Sequence, residues 1–353
     1  MTLGCGTYRV EVTGRCGVPS ICDLNNIADL EFGRVRDDTS QVTMILNLPG
    51  DGEDSCCECL GNIRSWIHSV MLFRDGELVW GPGPVTNILY RRESVVVTAR
   101  DVSTWLDSRF IHNDLDFFDA DPLDIAQALI VDAMAPDDPC GLADNVILYR
   151  SASPTLIDQS YTAEDPTQYA GAALRDLGST VLDYTVVGST FLLGSPLTFG
   201  PYATLTDKDF LVDVEIEERG LEAGTRWVVQ SPTARGSAGG LDPYYGLIEQ
   251  WVNEDSIDDD DQATLAAQNR LLASNPAPLY LNIPEGARLS PAAEISFDQL
   301  VPGTLFNVNF QDLCRKIYTR LILTAVTVHV GDSGDEEIGV TLSPMGTGFQ
   351  DAV

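Results

Sequence analysis

The stretch that decides the fold is MLFRDGELVWGPGPVTNILYRRESVVVTARDVSTWLDSRFI, Met71–Ile111. It opens as strand, turn, strand. Arg74-Asp75-Gly76 supplies the turn, because Asp-Gly tolerates the positive φ of a two-residue hairpin. The second strand then meets Gly81-Pro82-Gly83-Pro84. Prolines inside a strand pattern mark an edge or a bulge, since each removes a ladder donor. SVVVTA, Ser94–Ala99, reads as a further strand. The period then changes: Val102, Trp105, Leu106 and Phe110 fall on one helical face, with Asp101 or Ser103 able to cap it. A helix plugging the end of a barrel is expected here, rather than Trp105 as a ligand platform. A rigid kink between two long strands suits an enzyme loop or a surface shaped for a neighbour.

Upstream, TYRVEVTG (Thr7–Gly14) alternates, and Leu30–Leu48 gives two strands around a turn at Asp37–Ser40. Downstream the character changes. DPLDIAQALIVDAMA (Asp121–Ala135) is a capped amphipathic helix with Pro122 at its start, and a second helix ends at Gly178. LDYTVVGSTFLLGS (Leu182–Ser195) is a hairpin turning near Gly188. The β pattern returns from Ala203. Ser231–Gly246 reads as a glycine-rich loop, and a helix runs from near Asp258 to just before Pro276. Its aspartates sit where the helix dipole favours negative charge, and a calcium-loop spacing is absent. Three final strands follow, in Ile295–Phe310, Thr319–Asp332 and Glu337–Pro344, and then a short flexible tail. Short strands separated by turns indicate barrels or sandwiches.

The charge is lopsided, with 53 acidic residues against 21 basic and a formal net charge of −32. Such a surface repels phosphate backbones and excludes sequence-independent nucleic-acid binding. It is compatible with solubility in a high-ion environment, with calcium sites, or with a conduit past which DNA slides. No apolar run approaches the ~20 residues of a membrane span, so no stable membrane insertion is expected. The N-terminus lacks the basic and apolar regions of a secretory signal, so the chain is expected to be used first in the cytosol. Six of the eight cysteines (Cys5, Cys16, Cys22, Cys56, Cys57 and Cys59) fall in the first sixty residues, while Cys140 and Cys314 stand apart. The spacing matches no standard zinc pattern. Structural zinc, disulfides formed after release, and free thiols stay open. The N-terminal cysteine-rich segment is expected to act as a local staple.

Catalytic chemistry needs a constellation. The three histidines, His68, His112 and His329, stand without HExxH, HxH or a carboxylate at motif spacing. There is no GxSxG elbow and no P-loop. Paired carboxylates cannot be picked out from so many acids. No residue is therefore assigned a catalytic, cofactor-binding or metal-ligating role, no cofactor is expected, and a structural rather than enzymatic protein is indicated.

Three segments, GRVRDDTSQVTMIL (Gly33–Leu46), RDGELVWGPGPVTNI (Arg74–Ile88) and VVVTARDVSTWLDSRFI (Val95–Ile111), together resemble actinobacteriophage minor tail proteins of the central tail hub family. That family includes baseplate hubs of contractile phages, the base of the type VI secretion spike and the N-terminal region of siphophage tail-associated lysins. The likeness covers roughly residues 25–115, with weaker similarity at Leu205–Phe210 and Leu300–Val308. It implies an α+β, mainly β chain: two β-barrel-like units with an α/β insertion between them. The expected domains are 1–111, completed by 205–235; the insertion 112–204; and 236–353, with the acid-capped helix. It also implies a homotrimer at the tail tip of a siphovirus virion, assembled in the host cytoplasm. Expected partners are the hexameric distal tail ring, the tape measure protein and other tail-tip or fibre proteins. Lysin-type members continue into a long enzymatic or fibre-like region, and this chain stops at Val353, so only the hub role carries over. The alternatives are a virion-associated cell-wall hydrolase, the distal tail ring itself, or a carbohydrate-binding tail module.

Overall fold

The computed structural model describes the chain apart from residues 1–2, 18–19, 25–26, 49–59, 153, 164, 166, 255–258, 276–278, 312–313, 315, 333 and 345–353. The tail after Met345 and the run Cys56–Cys59 therefore lie outside the described residues, as do the side chain of Cys22 and residue Asp258. Strand exceeds helix, 47% against 18%, so the chain is mainly β.

The N-terminal region supplies β1 (Tyr8–Gly14), β2 (Ser20–Leu24), β3 (Ile27–Val35), β4 (Gln41–Asn47), β5 (His68–Arg74), β6 (Glu77–Tyr90) and β7 (Ser94–Arg100). Then comes a 3-10 turn at Val102–Ser108, followed by β8 (Leu115–Ala120), α1 (Pro122–Met134), β9 (Val146–Tyr149), β10 (Ile157–Tyr161), α2 (Ala170–Gly178), β11 (Asp183–Val187), β12 (Thr190–Gly194) and β13 (Phe199–Leu205). Next are β14 (Glu215–Glu218), β15 (Arg226–Gln230), β16 (Arg235–Gly239), β17 (Glu249–Asn253), α3 (Asp260–Ser274) and β18 (Leu279–Asn282). The chain closes with β19 (Ala287–Arg288), β20 (Thr304–Phe310), β21 (Ile317–Val330) and β22 (Glu336–Pro344).

The contacts divide the chain into two compact units: residues 1–212 with 284–353, and residues 213–283. In the larger unit, strands from both ends of the chain share one twelve-stranded sheet, ordered β13-β20-β21-β3-β4-β7-β6-β5-β1-β2, with β22 on β21 and β19 on β22. Among the described residues no sheet closes into a barrel. The two β regions expected as separate barrel-like units meet instead at the antiparallel pair β3–β21, where Val35 lies opposite Ala325 and Leu30 opposite Val330.

Alternation sets which face is buried. Val42, Met44 and Leu46 of β4 lie opposite Ala99, Val97 and Val95 of β7, and all six are buried while their neighbours along each strand are less so. The Asp75–Gly76 turn forms as read, with φ of 53° and 88°, and Arg74 pairs with Glu77 across it. The Gly-Pro kink is a bulge inside the sheet, not an edge. Residues 79–85 are all buried; β6 pairs with β5 up to Pro84 and with β7 from Val85. Glycine is required at Gly81, where φ is +86° and a Cβ would collide with the Val70 carbonyl. β21 behaves likewise. It pairs with β20 through Ile322 and with β3 from Ala325, and its ladder to β22 slips between Leu323 and Ala325.

The insertion has its own core. Leu123, Ile125, Leu129 and Ile130 of α1, Leu174 and Leu177 of α2, and Phe191 and Leu193 of β12 are buried together. Asp121 caps α1 through the Leu123 N–H at 2.9 Å, with Pro122 in the first turn. The Trp-containing segment is a 3-10 turn capped by Asp101, and its Val102, Trp105 and Leu106 join this core rather than plugging a barrel.

In the smaller unit the expected glycine-rich loop contains β16. Arg-Gly-Ser-Ala-Gly has little strand propensity, but a Cβ at Gly236 would strike the backbone of Ala263 and Thr264. Packing by α3 selects that strand.

One buried group ties the first strands to the last. The Glu336 carboxylate accepts from Arg74 Nε at 2.7 Å and Nη2 at 2.8 Å, from the Gly4 N–H at 2.7 Å and from the Tyr8 hydroxyl. Both charged side chains are fully buried. Burial pushes the Glu336 carboxyl up, but the hydrogen bonds from Arg74 and Tyr8 outweigh it and hold the group below its usual value. A lowered carboxyl contributes stability above its unfolded pKa and loses it as pH falls through the folded one. We expect Glu336→Gln to leave buried Arg74 with only the half-exposed Asp75 as counter-charge and to cost about 3 kcal/mol at pH 7. The gap between variant and wild type should narrow as pH falls below the ordinary glutamate value of about 4.3. Denaturant unfolding of both proteins across pH checks this.

Candidate functional site

The insertion is fastened to the sheet at the turn after β3. Asp37 has φ of +60°, a conformation aspartate tolerates better than most residues. Its carboxylate accepts from the Tyr184 N–H at 2.7 Å, while its own N–H donates to the Tyr184 carbonyl at 2.8 Å. Thr185 Oγ1 donates to the Val35 carbonyl at 2.8 Å, and Arg36 pairs with Asp183. Burial pushes the Asp37 carboxyl up to about 6, with Asp183 adding to it, although the Tyr184 N–H and Arg36 act the other way.

A second fastener is covalent. Cys16, in the turn after β1, and Cys140, in the insertion, form a disulfide with Cα atoms 4.9 Å apart, 124 positions apart in sequence. The expected staple among N-terminal thiols is thus, for Cys16, a long-range link to a cysteine that stands apart in the sequence. Its surroundings are ionic and aromatic. Arg15 Nη2 donates to Asp137 at 2.7 Å, and the Arg15 guanidinium lies 4.9 Å from the Trp105 ring centre. Trp105 packs edge-on against Trp66 at 5.2 Å. Trp105 is buried, with the Arg109 guanidinium also on its ring. Cys314 is exposed.

The histidines acquire partners that sequence spacing hid. His112 Nδ1 lies 3.0 Å from the Asp132 carbonyl, and its N–H donates to the Asp132 carboxylate at 2.6 Å. His329 Nε2 is 2.8 Å from Asp29 and its Nδ1 is 3.7 Å from Glu337, because β21 runs between β3 and β22. His68 Nδ1 accepts from the Arg64 N–H at 2.8 Å, and burial lowers its pKa. The signal that could have found these pairs is strand register, which a single sequence does not print. None of the three imidazoles sits beside a serine or cysteine nucleophile in these contacts. Among the described residues no group of three or more His, Cys, Asp or Glu side chains is arranged to hold a metal ion. The acidic run behaves as a helix cap: Asp259 accepts from the Gln262 N–H at 2.8 Å, and Asp260 from the Arg235 N–H at 2.8 Å.

The surface is more distinctive than any cleft. Among its described residues the smaller unit clusters Val229, Ala234, Ala263 and Ala267 with partly buried Trp227, Ala238, Val252 and Ala266, while Leu221, Leu241, Tyr244, Leu247, Trp251 and Leu272 are exposed. Large apolar groups held out on a thin core point to contacts with other proteins.

The chain shares its fold, along nearly its whole length, with solved phage tail proteins. A tail protein from Neisseria meningitidis superposes with a TM-score of 0.58 at 15% identity, covering 95% of this chain and 96% of that one. The 43 kDa tail protein of prophage MuSo2 from Shewanella oneidensis gives 0.58 at 11% identity, covering 96% and 97%. An Escherichia coli component of the type VI secretion system, described as similar to the T4 phage tail proteins gp27 and gp5, gives 0.50 at 7% identity, covering 91% and 74%. No protein-family model and no curated protein sequence matches the chain.

Two measurements test the fasteners. Replacing Cys16 and Cys140 by serine should lower stability by about 3–5 kcal/mol, the loop-entropy scale for a closed loop of this size. Thermal melts with and without reductant, and a Cys16–Cys140 peptide in non-reducing digests, check it. For Asp37 the sign is opposite to Glu336. Its folded pKa is raised to about 6, so the stability of its protonated form is complete below the unfolded value and is lost as pH rises through about 6. Asp37→Asn keeps an oxygen for the Tyr184 N–H. It should match wild type near pH 4 and exceed it by about 1 kcal/mol at pH 7, read from unfolding midpoints at the two pH values.

Proposed function

We propose that this chain is a structural minor tail protein that forms the central hub of a phage tail tip. Three copies form a ring, dock on the hexameric distal tail ring, and close or guide the DNA conduit. The tape measure protein and other tail-tip or fibre proteins are its further partners, in a siphovirus virion assembled in the host cytoplasm. The observation that carries this reading is the shared fold over nearly the full length of both chains with the Neisseria and Shewanella tail proteins. In this reading the N-terminal β region (1–111) and the C-terminal β region (236–353) are the two near-equivalent docking surfaces of each subunit, and 112–204 is the lobe between them. Support comes from β6 and β21: each region contributes one 14-residue strand that changes partner along its length. The role is mechanical, not enzymatic.

With a net charge of −32 per chain, association is opposed by repulsion that salt screens over ~8 Å at physiological ionic strength. Sedimentation across a salt series should give three times the 38.3 kDa chain mass, favoured at higher salt. Six copies would identify a ring protein instead. Incubation with host cell wall should release no sugar or peptide fragments, and reproducible release would establish the hydrolase alternative.

A further inference from the structure

The smaller unit, residues 213–283, carries thirteen Asp and Glu against four Arg and no Lys. Its three-stranded sheet, ordered β16-β15-β17, has two faces set by register. Trp227, Val229, Gly236, Ala238, Gln250 and Val252 lie on one of them. That face is covered by α3: Val229 is buried against Ala263 and Ala267, and Trp227 Nε1 donates to Ser274 Oγ at 2.6 Å.

The other face has a different composition. β15 gives it Arg226, Val228 and Gln230; β16 gives Arg235, Ser237 and Gly239; β17 gives Glu249, Trp251 and Asn253. Trp251 stands midway along the edge strand β17, opposite Val228 of the central strand, and is 71% exposed. The only carboxylate on the face, Glu249, is bound by Arg226 at 2.7 Å. Two guanidiniums against one carboxylate, with the Asp260 carboxylate on the Arg235 N–H, leave this face close to neutral in a unit whose formal charge is −9. The loop joining β16 to β17 continues the apolar surface. Asp242 Oδ1 accepts from the Tyr244 and Tyr245 N–H groups at 2.7 and 2.8 Å, and Tyr244 and Leu241 are 86% and 80% exposed.

We infer that this outer face, centred on Trp251 and Val228, is the contact with a second copy of the same chain. The inference deepens the trimeric hub reading and rests on it. The argument is electrostatic. A copy approaching almost any acidic part of this molecule meets like charge, whereas here an exposed tryptophan is surrounded by balanced groups. A buried tryptophan ringed by neutral polar groups is the usual anatomy of an interaction hot spot. The sheet face spans roughly 250 Å² from strand spacing and rise. It is therefore the centre of a contact whose standard size is about 800 Å² per partner, with the 240–248 loop supplying more of it.

The test is sedimentation of the full chain at a salt concentration where wild type is trimeric. Trp251→Arg should shift it to monomer, with association weakened at least tenfold. Ser237→Arg, at an exposed position on the same face, should do the same and serves if the first variant misfolds by circular dichroism. Leu272→Lys, on an exposed position of α3, should leave the trimer intact. Persistence of the trimer in the folded Trp251→Arg and Ser237→Arg variants would overturn this assignment while leaving the trimeric hub standing. Equal loss with Leu272→Lys would overturn it too, by showing that any charge on the unit suffices. A wild-type chain that stays monomeric at every salt concentration would sink both readings at once.

Discussion

The contact between Arg74 and Glu336 constrains everything around it. These residues lie 262 positions apart, on β5 and at the start of β22, and neither has access to water. An ion pair in that setting is costly to desolvate and holds only if the remaining donors and acceptors are satisfied. Glu336 meets the requirement through Tyr8 and Gly4, and Arg74 through a second carboxylate, Asp75, at 3.1 Å, and the face of Phe297 at 4.8 Å. Phe297 is shared, because Arg34 also lies over it at 5.3 Å while donating to the Leu300 and Val79 carbonyls at 3.0 and 2.8 Å. Five segments far apart in sequence are thereby held in one register. An apolar cluster of the same volume would tolerate sliding. A bidentate guanidinium–carboxylate pair does not, because a small slip breaks both hydrogen bonds inside a region that cannot supply water.

That registration lets one sheet serve both ends of the chain. β6 and β21 each outlast their neighbours, so each must change partner along its length. The chain solves the two cases differently. In β6 two glycines remove the side chains that would strike the Val70 and Arg100 carbonyls. In β21 the register to β22 slips between Leu323 and Ala325, and the Arg36 N–H takes up the Thr324 carbonyl at 2.9 Å. The second device also positions the insertion, because Arg36 belongs to the same short turn that holds Tyr184 and Asp183.

Local chemistry made much of this legible from the sequence. The Asp75–Gly76 turn, the Asp121–Pro122 helix start, the Gly188 hairpin and the dipole-compatible aspartates before α3 each follow from the conformational preferences of a few adjacent residues, and the structure places them accordingly. What depends on pairing across the chain was not legible. Nothing in HSVMLFR announces a glutamate 262 residues later as the partner of its arginine. The strand at Arg235–Gly239 carries no strand former and exists because α3 packs on it. The link from Cys16 passes over every nearby thiol to Cys140. The kink at Gly81–Pro84 reads as an edge or a bulge, and pairing decides for a buried bulge at a change of partner, where a ladder donor is dispensable.

The charge imbalance has a structural counterpart in where the cations go. The basic complement is nineteen arginines and two lysines, an unusual ratio. Arginine offers a planar fork of donors and tolerates desolvation better than an ammonium, so it suits buried seams. Its placements follow that logic. Arg74 joins the first strands to the last, and Arg34 braces them. Arg36 with Asp183 and Arg15 with Asp137 tie the insertion to the sheet, and Arg175 with Asp107 at 2.6 Å ties the 3-10 turn to α2. Arg74 and Arg34 are buried fasteners, while Arg36, Arg15 and Arg175 pair with carboxylates at more accessible seams. Each such pair removes one positive and one negative charge, so the excess of 32 acids is left to the rest of the molecule. An acidic excess and arginine-stitched seams are then one design. The same allocation makes any locally neutral, apolar face stand out as the place where the molecule can be approached by its own kind.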